Sequence, residues 1–484
     1  MDSNAILNII KSQLEPKDKE RQKNGEIFTP LSIVDDMLST LPKHIWTNKD
    51  LKWLDPANGI GNFPIKAIFG ETDRYLGLDK GLSKIIPDRK KRLEHIITNM
   101  LFMIDINPKN NDECAKIFNL ICPSAKPNIE IIDPIDGFLS NKPIKFGELT
   151  PEFDIILGNP PYQSGSVKGK TSTKTRKLRK QSGLDLKTHR NLWIPFVRKI
   201  LTTKILKPNG YLLFINPITW FRPESTGIHE LILTHQIHQL RIIFVTDFQK
   251  FFGGKGSISV AHYLLQKMPV KTTTEIIDRY GQTESIKLDR NSIIISGHNG
   301  IYQKILAKCD NFQNSNDYKT ISIKECKPGP NKQIYRIDMH DKIKFVKTDT
   351  IHPEQHTPKI HLYGNHWPRI YYDKIGEYGV IGQHQNFFVG KNLPKLHEFF
   401  KTKLSALLLK NIKYEQEFIA PRFLPDIRNL SIGKITDDTL ATYFGFNDAE
   451  KKAIKATEFP EREFKFKELK CSEIATAKRN TRKI

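Results

Sequence analysis

The chain has 484 residues, which is enough for two or three domains with sizeable hydrophobic cores. Its 76 Lys and Arg residues outnumber 53 Asp and Glu, and the formal net charge of +23 favours a polyanionic partner. No apolar run approaches the roughly 20 residues of a membrane span, and no basic segment followed by an apolar core begins the chain. We therefore expect a cytoplasmic protein without a membrane partner. The five cysteines include no close pair, which is typical of a reducing compartment.

Two short elements stand out in the first part of the chain. Residues 25–30 read Gly-Glu-Ile-Phe-Thr-Pro, and residues 53–63 read as a strand end followed by a loop with glycines at 59 and 61. Glycines let the backbone approach a ligand closely, next to the N-terminus of the helix that follows. A glycine loop alone is weak evidence, because ordinary turns explain most such loops.

Within residues 99–108, an apolar run ends in an acidic residue, Asp105. A buried strand that ends in an acid is the arrangement that binds ribose hydroxyls in doubly wound folds. Asp79, after the apolar residues 75–78, is a rival for this position. We favour Asp105 because a helical pattern, residues 112–120, follows it.

The most informative motif is Asn159-Pro160-Pro161-Tyr162, directly after the apolar run 153–158. An Asn side-chain oxygen and a fixed carbonyl can both accept hydrogen bonds from a planar amino group, which favours attack by its nitrogen. The two prolines fix the loop and remove two donors, and the Tyr ring offers a stacking face for an extruded base. The motif thus suits methyl transfer to an amino group, although so short a string also arises by chance in turns.

Strand and helix patterns alternate through residue 267. Residues 207–210 read as a turn into a buried strand, and residues 244–246 and 257–265 read as two more. This alternation predicts an α/β fold with a doubly wound, mostly parallel sheet. Ligands bind such sheets at the carboxyl ends of the strands, so both loops are expected on the same edge.

A basic run follows the Asn-Pro-Pro-Tyr motif, within a loop at residues 163–190 that we expect to be flexible. Two interpretations stay open: a solvated surface loop, or a segment that binds phosphates and closes over an extruded nucleotide. The candidate nucleic-acid-binding residues in it are Lys168, Lys170, Lys174, Arg176, Lys177, Arg179 and Lys180.

From about residue 268 the composition changes to short strands, turn formers, Lys, His and aromatic residues. We expect an α+β domain over residues 268–440, with residues 361–372 as a candidate base-reading surface. Residues 441–484 are expected to form a basic C-terminal tail. The histidines here match no standard zinc spacing, so no metal site is predicted.

These motifs in this order resemble the gamma-type N6-adenine DNA methyltransferases, the Asn-Pro-Pro-Tyr class, close in pattern to those of type II restriction–modification systems. The resemblance covers about residues 20–267. It implies a Rossmann-like methyltransferase domain over residues 1–267, S-adenosylmethionine as cofactor, double-stranded DNA as partner, and residues 268–440 as a target recognition domain. The implied activity is site-specific methylation of N6 of an adenine flipped out of the duplex.

The resemblance also implies residue roles. Asn159, Pro160, Pro161 and Tyr162 would be catalytic, and Phe252 would pack against the flipped base, although a core role for this Phe is equally open. The cofactor would be bound by Phe28, Thr29, Pro30, Asp55, Asn58, Gly59, Gly61, Asp105, Ile106 and Asp133. The chain departs from the family at residues 58–61, where members usually carry Cys-Gly-Ser-Gly, and this puts the side-chain contact of Asn58 in doubt.

Two other activities remain as alternatives. A bifunctional restriction–modification enzyme would need a nuclease module, for which the residues before Phe28 are too few. A protein glutamine N5-methyltransferase shares the motif, but such enzymes are short and lack a large basic C-terminal region. N4 of cytosine is a minor alternative acceptor. The target sequence, the oligomeric state and a separate cognate restriction endonuclease stay open.

Overall fold

The computed structural model describes residues 29–133, 137–140, 142–162, 191–252, 258–320, 328–337, 343–348, 352–363, 368–379, 386–414, 419–458 and 465–468. The chain divides into two compact units, residues 1–293 and residues 294–484. The sequence placed a boundary at 267, before two short strands that belong to the sheet of the first unit.

In the described part of the first unit, nine strands form one sheet with the order β3-β2-β1-β4-β5-β7-β6-β8-β9. Their bounds are β1 Trp53–Asp55, β2 Leu101–Asp105, β3 Asn128–Ile131, β4 Phe153–Gly158, β5 Leu206–Pro217, β6 His235–Ile243, β7 Val260–Pro269, β8 Thr274–Ile277 and β9 Thr283–Ile286. Strands β1 to β5 are parallel, and β7 is antiparallel to both β5 and β6. The first six strands therefore end at the same edge.

The order of the strands reverses between β1 and β4. From β1 the chain continues to β2 and β3 on one side, and β4 and β5 lie on the other. A crevice forms at such a switch point, outside the carboxyl ends of the two strands, and it is where open α/β sheets bind ligands. The predicted doubly wound, mostly parallel sheet is confirmed.

Helices alternate with these strands. Their bounds are α1 Leu31–Leu38, α2 Asn62–Phe69, α3 Gly77–Gly81, α4 Arg89–His95, α5 Pro108–Ile121, α6 Trp193–Thr202, α7 Ile228–Leu233 and α8 Val245–Phe252. Helix α1 buries Ile33, Val34, Met37 and Leu38, a set at helical spacing. Helix α5 begins where the side chain of Asn107 accepts the Lys109 N–H, with Pro108 in the first turn.

The second unit is α+β, as predicted. In its described residues, five strands form a sheet with the order β10-β15-β13-β14-β16, and β11 pairs with β12 in a separate ribbon. The strands are β10 Tyr318–Thr320, β11 Pro328–Ile337, β12 Ile343–Thr348, β13 Lys359–Tyr363, β14 Arg369–Asp373, β15 Asn386–Phe388 and β16 Lys465–Glu468. The helices are α9 Asn299–Leu306, α10 Leu393–Phe400, α11 Lys403–Asn411, α12 Asp437–Phe444 and α13 Asp448–Ala456.

Two expectations for the second unit differ from the structure. His361 and Tyr371 are fully buried in the sheet, so these two side chains are not an exposed base-reading surface. Residues 441–484 are not simply a tail, because α12 crosses residue 441, α13 begins with a capping box at Asn447, and β16 pairs with β14. Local capping and strand pairing outweigh the basic composition that suggested a frayed end.

No helix in the described ranges is long and apolar enough to cross a membrane. Those ranges also contain no cluster of three or more His, Cys, Asp or Glu side chains suited to a metal ion.

Candidate active site

The two key loops lie on either side of the switch point between β1 and β4. Strand β1 ends at Asp55 and β4 ends at Gly158, and the two strands pair in parallel. A Cβ atom added at Gly158 would lie 2.6 Å from Oδ1 of Asp55, and the φ of Gly158 is 142°. The turn that begins at Asn159 therefore starts in contact with the carboxyl that opens the glycine turn.

The glycine turn, residues 55–61, is fixed by hydrogen bonds to the neighbouring strand β2. The Asn58 N–H donates to the Ile104 carbonyl at 2.9 Å, and the Gly59 N–H donates to Oδ2 of Asp105 at 2.8 Å. Gly61 has a φ of 99°, and a Cβ atom there would lie 2.9 Å from Sγ of Cys114. Only glycine fits this position without strain, so the turn keeps its backbone close to the switch point.

Asp55 is buried, with 2% of its surface exposed. Its Oδ1 accepts the Ala57 N–H at 3.1 Å, whereas its Oδ2 has no hydrogen-bond partner among the described residues. Burial, with a smaller contribution from the negative charge of Asp105, raises the pKa of Asp55 to about 8. The unliganded carboxyl is therefore largely neutral at pH 7, and a cation beside it would favour its ionised form.

Asn58 in this turn and Asn62, the first residue of α2, provide two further acceptors. Nδ2 of Asn58 donates to the Gly59 carbonyl at 3.1 Å and to Sγ of Cys114 at 3.2 Å, and Nδ2 of Asn62 donates to the Thr29 carbonyl at 2.8 Å. The side-chain oxygens of both Asn residues are buried without a partner in the described ranges. With Oδ2 of Asp55, three buried acceptors lack donors, which suits a ligand that carries N–H groups and positive charge.

Asp105, Ile106 and Asp133 lie along the same edge, at the ends of β2 and β3. Oδ1 of Asp105 accepts the Asn107 N–H at 2.7 Å, so its carboxylate supports both the glycine turn and the start of α5. Ile106 is 51% exposed, which leaves an apolar surface beside that carboxylate. Asp133 follows β3, which pairs with β2 through Asp105 and Ile131.

The Asn159-Pro160-Pro161-Tyr162 turn lies between β4 and β5. Pro160 is buried, and Asn159, Pro161 and Tyr162 are partly exposed. The Tyr162 hydroxyl donates to the Ile215 carbonyl in β5 at 3.4 Å, and burial raises its pKa above the usual range. Tyr162 is therefore a neutral, anchored ring at the rim of the core.

Part of the sequence that forms this edge matches a known family model. Residues 78–252, which include Asp105 and the Asn159 turn, match the model of the Eco57I restriction-modification methylase family. We call residues 78–252, which are similar to the methylases of that family, the methylase segment. The resemblance inferred from the motifs is thus confirmed.

Part of the chain is also similar to a known protein sequence. An "Uncharacterized adenine-specific methylase" of Mycoplasma pneumoniae (strain ATCC 29342 / M129 / Subtype 1) is 45% identical over 86 residues, 17% of this chain and 19% of that protein. The match thus spans about a fifth of the relative's length.

Two solved structures show distant likeness to the chain. One is a nuclease-deletion mutant of the Type ISP restriction-modification enzyme LlaGI in complex with a DNA substrate mimic, with TM-score 0.46, 12% identity, and 82% of this chain and 53% of that chain covered. The other is the methyltransferase subunit of the type I restriction-modification system from Streptococcus thermophilus, with TM-score 0.35, 17% identity, and coverage of 54% and 50%. The family match, rather than these likenesses, defines the methylase segment.

Several other residues named from the sequence lie elsewhere. Asp79, the rival acid, is in α3 and binds Arg89 and Arg92 at 2.9 and 2.8 Å instead of ending a strand. Phe252 is 5% exposed and stacks on Phe248 with ring centroids 4.3 Å apart. Its neighbour Phe251 is 43% exposed. The structure therefore favours a core role for Phe252.

Phe28 and the seven basic residues between 168 and 180 lie outside the described residues. The sequence missed Asn62, whose amide joins the glycine turn to Thr29. A polar residue at the start of the largely apolar stretch 62–69 was the available signal. It also missed Gly158, for which nothing local in the sequence indicates contact with Asp55.

Proposed function

We propose that the chain transfers a methyl group from S-adenosylmethionine to N6 of an adenine flipped out of duplex DNA. The observation that carries the proposal is the meeting of two turns at the switch point, where Gly158, just before Asn159, touches Asp55 at the start of the glycine turn. A donor in one turn and an acceptor base in the other would then lie side by side. The methylase segment and the adenine-specific relative support adenine as the acceptor.

The residues of the glycine turn fit the proposed cofactor. The unpartnered oxygens of Asp55, Asn58 and Asn62 suit its ammonium group and positive charge. Asp105 would accept from the ribose hydroxyls, Ile106 would pack on the adenine ring, and Asp133 would accept from the adenine amino group. Thr29 and Pro30, with Phe28, would cover the methionine and adenine ends of the cofactor. When bound, the cofactor supplies an electrophilic methyl group on a sulfonium.

The Asn159 turn would act on the substrate amino group. The Asn159 side-chain oxygen and the Pro160 carbonyl accept its two N–H hydrogens, which raises electron density at nitrogen as the new N–C bond forms and the S–C bond breaks. Pro160 and Pro161 keep these acceptors in place. Tyr162 offers its ring as a stacking face. The proton is lost from nitrogen to solvent after transfer.

The positive net charge of the chain supports DNA as the partner. The excess of Lys and Arg gives the chain the field expected of a protein that binds phosphates. We assign the basic residues at 168–180 to the strand near the flipped base and the second unit, residues 294–484, to target recognition.

The proposal is tested with the Asn159→Ala variant. Because this removes one of two acceptors aimed at the reacting amino group, we expect the methylation rate constant to fall by about 10²–10³-fold or more. The cofactor Kd should change less than about threefold. Tritiated S-adenosylmethionine with duplex DNA measures transfer, and isothermal titration measures binding.

The matched control is Asn99→Ala. Asn99 precedes β2 at the opposite edge of the same sheet and is not part of the proposed site. This variant should methylate like the wild type. Label on release factors instead of DNA would support the protein glutamine alternative, and defined cuts in DNA with Mg²⁺ would support a bifunctional enzyme.

A further inference from the structure

Helix α1 carries two consecutive acids, Asp35 and Asp36, that bind different parts of the first unit. We propose that they are positioning residues, which hold Thr29 and Pro30 against the glycine turn and so set the affinity for the cofactor. This inference rests on the proposed function, because it concerns the cofactor of that site. It assigns a role to residues outside the motifs.

Asp35 connects α1 to α2, the helix that follows the glycine turn. Its carboxylate lies 2.9 Å from Nζ of Lys66 and accepts the Tyr75 hydroxyl at 2.6 Å. Lys66 also binds Glu71 at 2.6 Å. Asp35 and Lys66 are 7% and 4% exposed, so water competes little with this ion pair.

Asp36 connects α1 to the sheet. Its Oδ2 lies 2.5 Å from Arg241 in β6 and 3.0 Å from Nε2 of His262 in β7, and its Oδ1 lies 2.9 Å from Arg74. Burial alone would raise the pKa of Asp36, but the hydrogen bond from His262 and the charges of the two arginines lower it to about 2. The carboxylate is therefore ionised throughout the working pH range.

The N-terminal end of α1 lies at the candidate active site. Thr29 and Pro30 immediately precede α1, and the Thr29 carbonyl accepts from Asn62 in the first turn of α2. Helices α1 and α2 are thus joined twice, by the Asp35–Lys66 pair and by the Asn62–Thr29 hydrogen bond at the glycine turn.

The apolar side of α1 does not by itself fix this geometry. Ile33, Val34, Met37 and Leu38 are 0–5% exposed and keep the helix docked on the core, but hydrophobic burial is non-directional. Charge-assisted hydrogen bonds have defined lengths and angles. Loss of Asp36 should therefore leave α1 docked but free to shift, and Thr29 and Pro30 would shift with it.

The test compares Asp36→Asn with Asp154→Asn in the full chain. Asp154 is a matched control, since it binds Lys207 at 2.8 Å and the Lys52 N–H at 2.9 Å at the opposite edge of the sheet. We expect Asp36→Asn to raise the Kd and KM for S-adenosylmethionine about tenfold, a change of ~1.4 kcal/mol. The rate at saturating cofactor and the affinity for DNA should stay within twofold.

Asp154→Asn should leave the cofactor Kd within twofold of the wild-type value, even if its melting temperature falls as far as that of Asp36→Asn. Amide hydrogen exchange of residues 31–38 should be faster in Asp36→Asn only. Asp36→Glu should recover part of the affinity, and Arg241→Gln, which removes a half-exposed partner, gives a milder variant if Asp36→Asn does not fold.

The inference is overturned if both Asp variants change the cofactor Kd equally, or if neither changes it. These outcomes are distinct from failure of the proposed function, which would appear as wild-type protein that neither binds S-adenosylmethionine nor methylates DNA. That result would also remove the basis of the inference.

Discussion

At the scale of single residues, Asp55 couples the candidate active site to pH. Its folded pKa of about 8 lies above the ordinary value of 3.8 because the carboxyl is buried. The folded protein therefore keeps a proton that the unfolded chain loses above about pH 4. Asp55 thus makes folding less favourable as pH rises from about 4 to about 8.

This loss of stability with rising pH leads to a prediction for Asp55→Asn, which imitates the neutral carboxyl. Between about pH 5 and pH 7 the wild type should lose stability relative to the variant by up to about 1.4 kcal/mol per pH unit. Urea unfolding of both proteins at several pH values measures the difference. Parallel stability curves would show that the Asp55 carboxyl is not held neutral. All buffers have the same ionic strength, so that the screening of charges is equal at every pH.

Single residues also show how much of the candidate site could be predicted from the sequence. Asp55, Gly59, Gly61, Asp105 and the Asn159 turn were all recognisable as local strings, and the structure brings them to one edge. Contacts between distant segments were not recognisable, because the Asn62–Thr29 hydrogen bond and the approach of Gly158 to Asp55 depend on the fold. The assignment of Phe252 to the base differs from the burial seen in the structure, although helical spacing places 245, 248 and 252 on one buried face of α8.

At the scale of elements, the end of β4 can be tested by adding one methyl group. Gly158 and Gly281 both have positive φ, 142° and 75°, but an added Cβ meets Asp55 only at Gly158 and open space at Gly281. Gly281→Ala should cost about 1–2 kcal/mol through backbone strain. Gly158→Ala should cost about 1–3 kcal/mol more through overpacking and should reduce methylation strongly.

Denaturant unfolding measures both costs, and a methylation assay at saturating cofactor measures the functional effect. Because Gly281→Ala carries the strain without the crowding, it is the matched control. Equal effects of the two substitutions would mean that Gly158 is not tightly packed against Asp55.

Elements differed in how far the sequence could predict them. The core strands β2, β4 and β5 each contain an apolar run of at least three residues, and so they were readable. Strands β8 and β9 were not assigned to the sheet, because each is four residues long and carries polar residues. They gain their structure from pairing, β8 with β6 and β9 with β8. The run 75–78 looked like a strand, yet its last two residues, Gly77 and Leu78, begin α3, and Gly77 has a φ of 69°.

At the scale of the whole molecule, the net charge of +23 predicts a strong dependence of DNA binding on salt. Each phosphate that the protein neutralises adds about −0.9 to the slope of log K against log salt for duplex DNA. Replacing the seven basic residues between 168 and 180 with Gln should make this slope shallower, while the cofactor Kd stays unchanged. Fluorescence anisotropy with labelled duplex at several KCl concentrations measures the slope.

A control variant replaces Lys451, Lys452 and Lys455 in α13 of the second unit, of which Lys452 and Lys455 are exposed. If only this control changes the slope, the basic run after Tyr162 does not contact phosphates. If neither variant changes it, other residues neutralise the DNA.

The inclusion of β8 and β9 in the first sheet determines where hybrids of related enzymes can be joined. A junction at 267 would cut β7 and separate β6 from Ile276 and its neighbours in β8, which exposes an unpaired strand edge open to aggregation. A junction at 293 interrupts no strand, so a foreign recognition module grafted there would leave the methylase sheet with all its pairings.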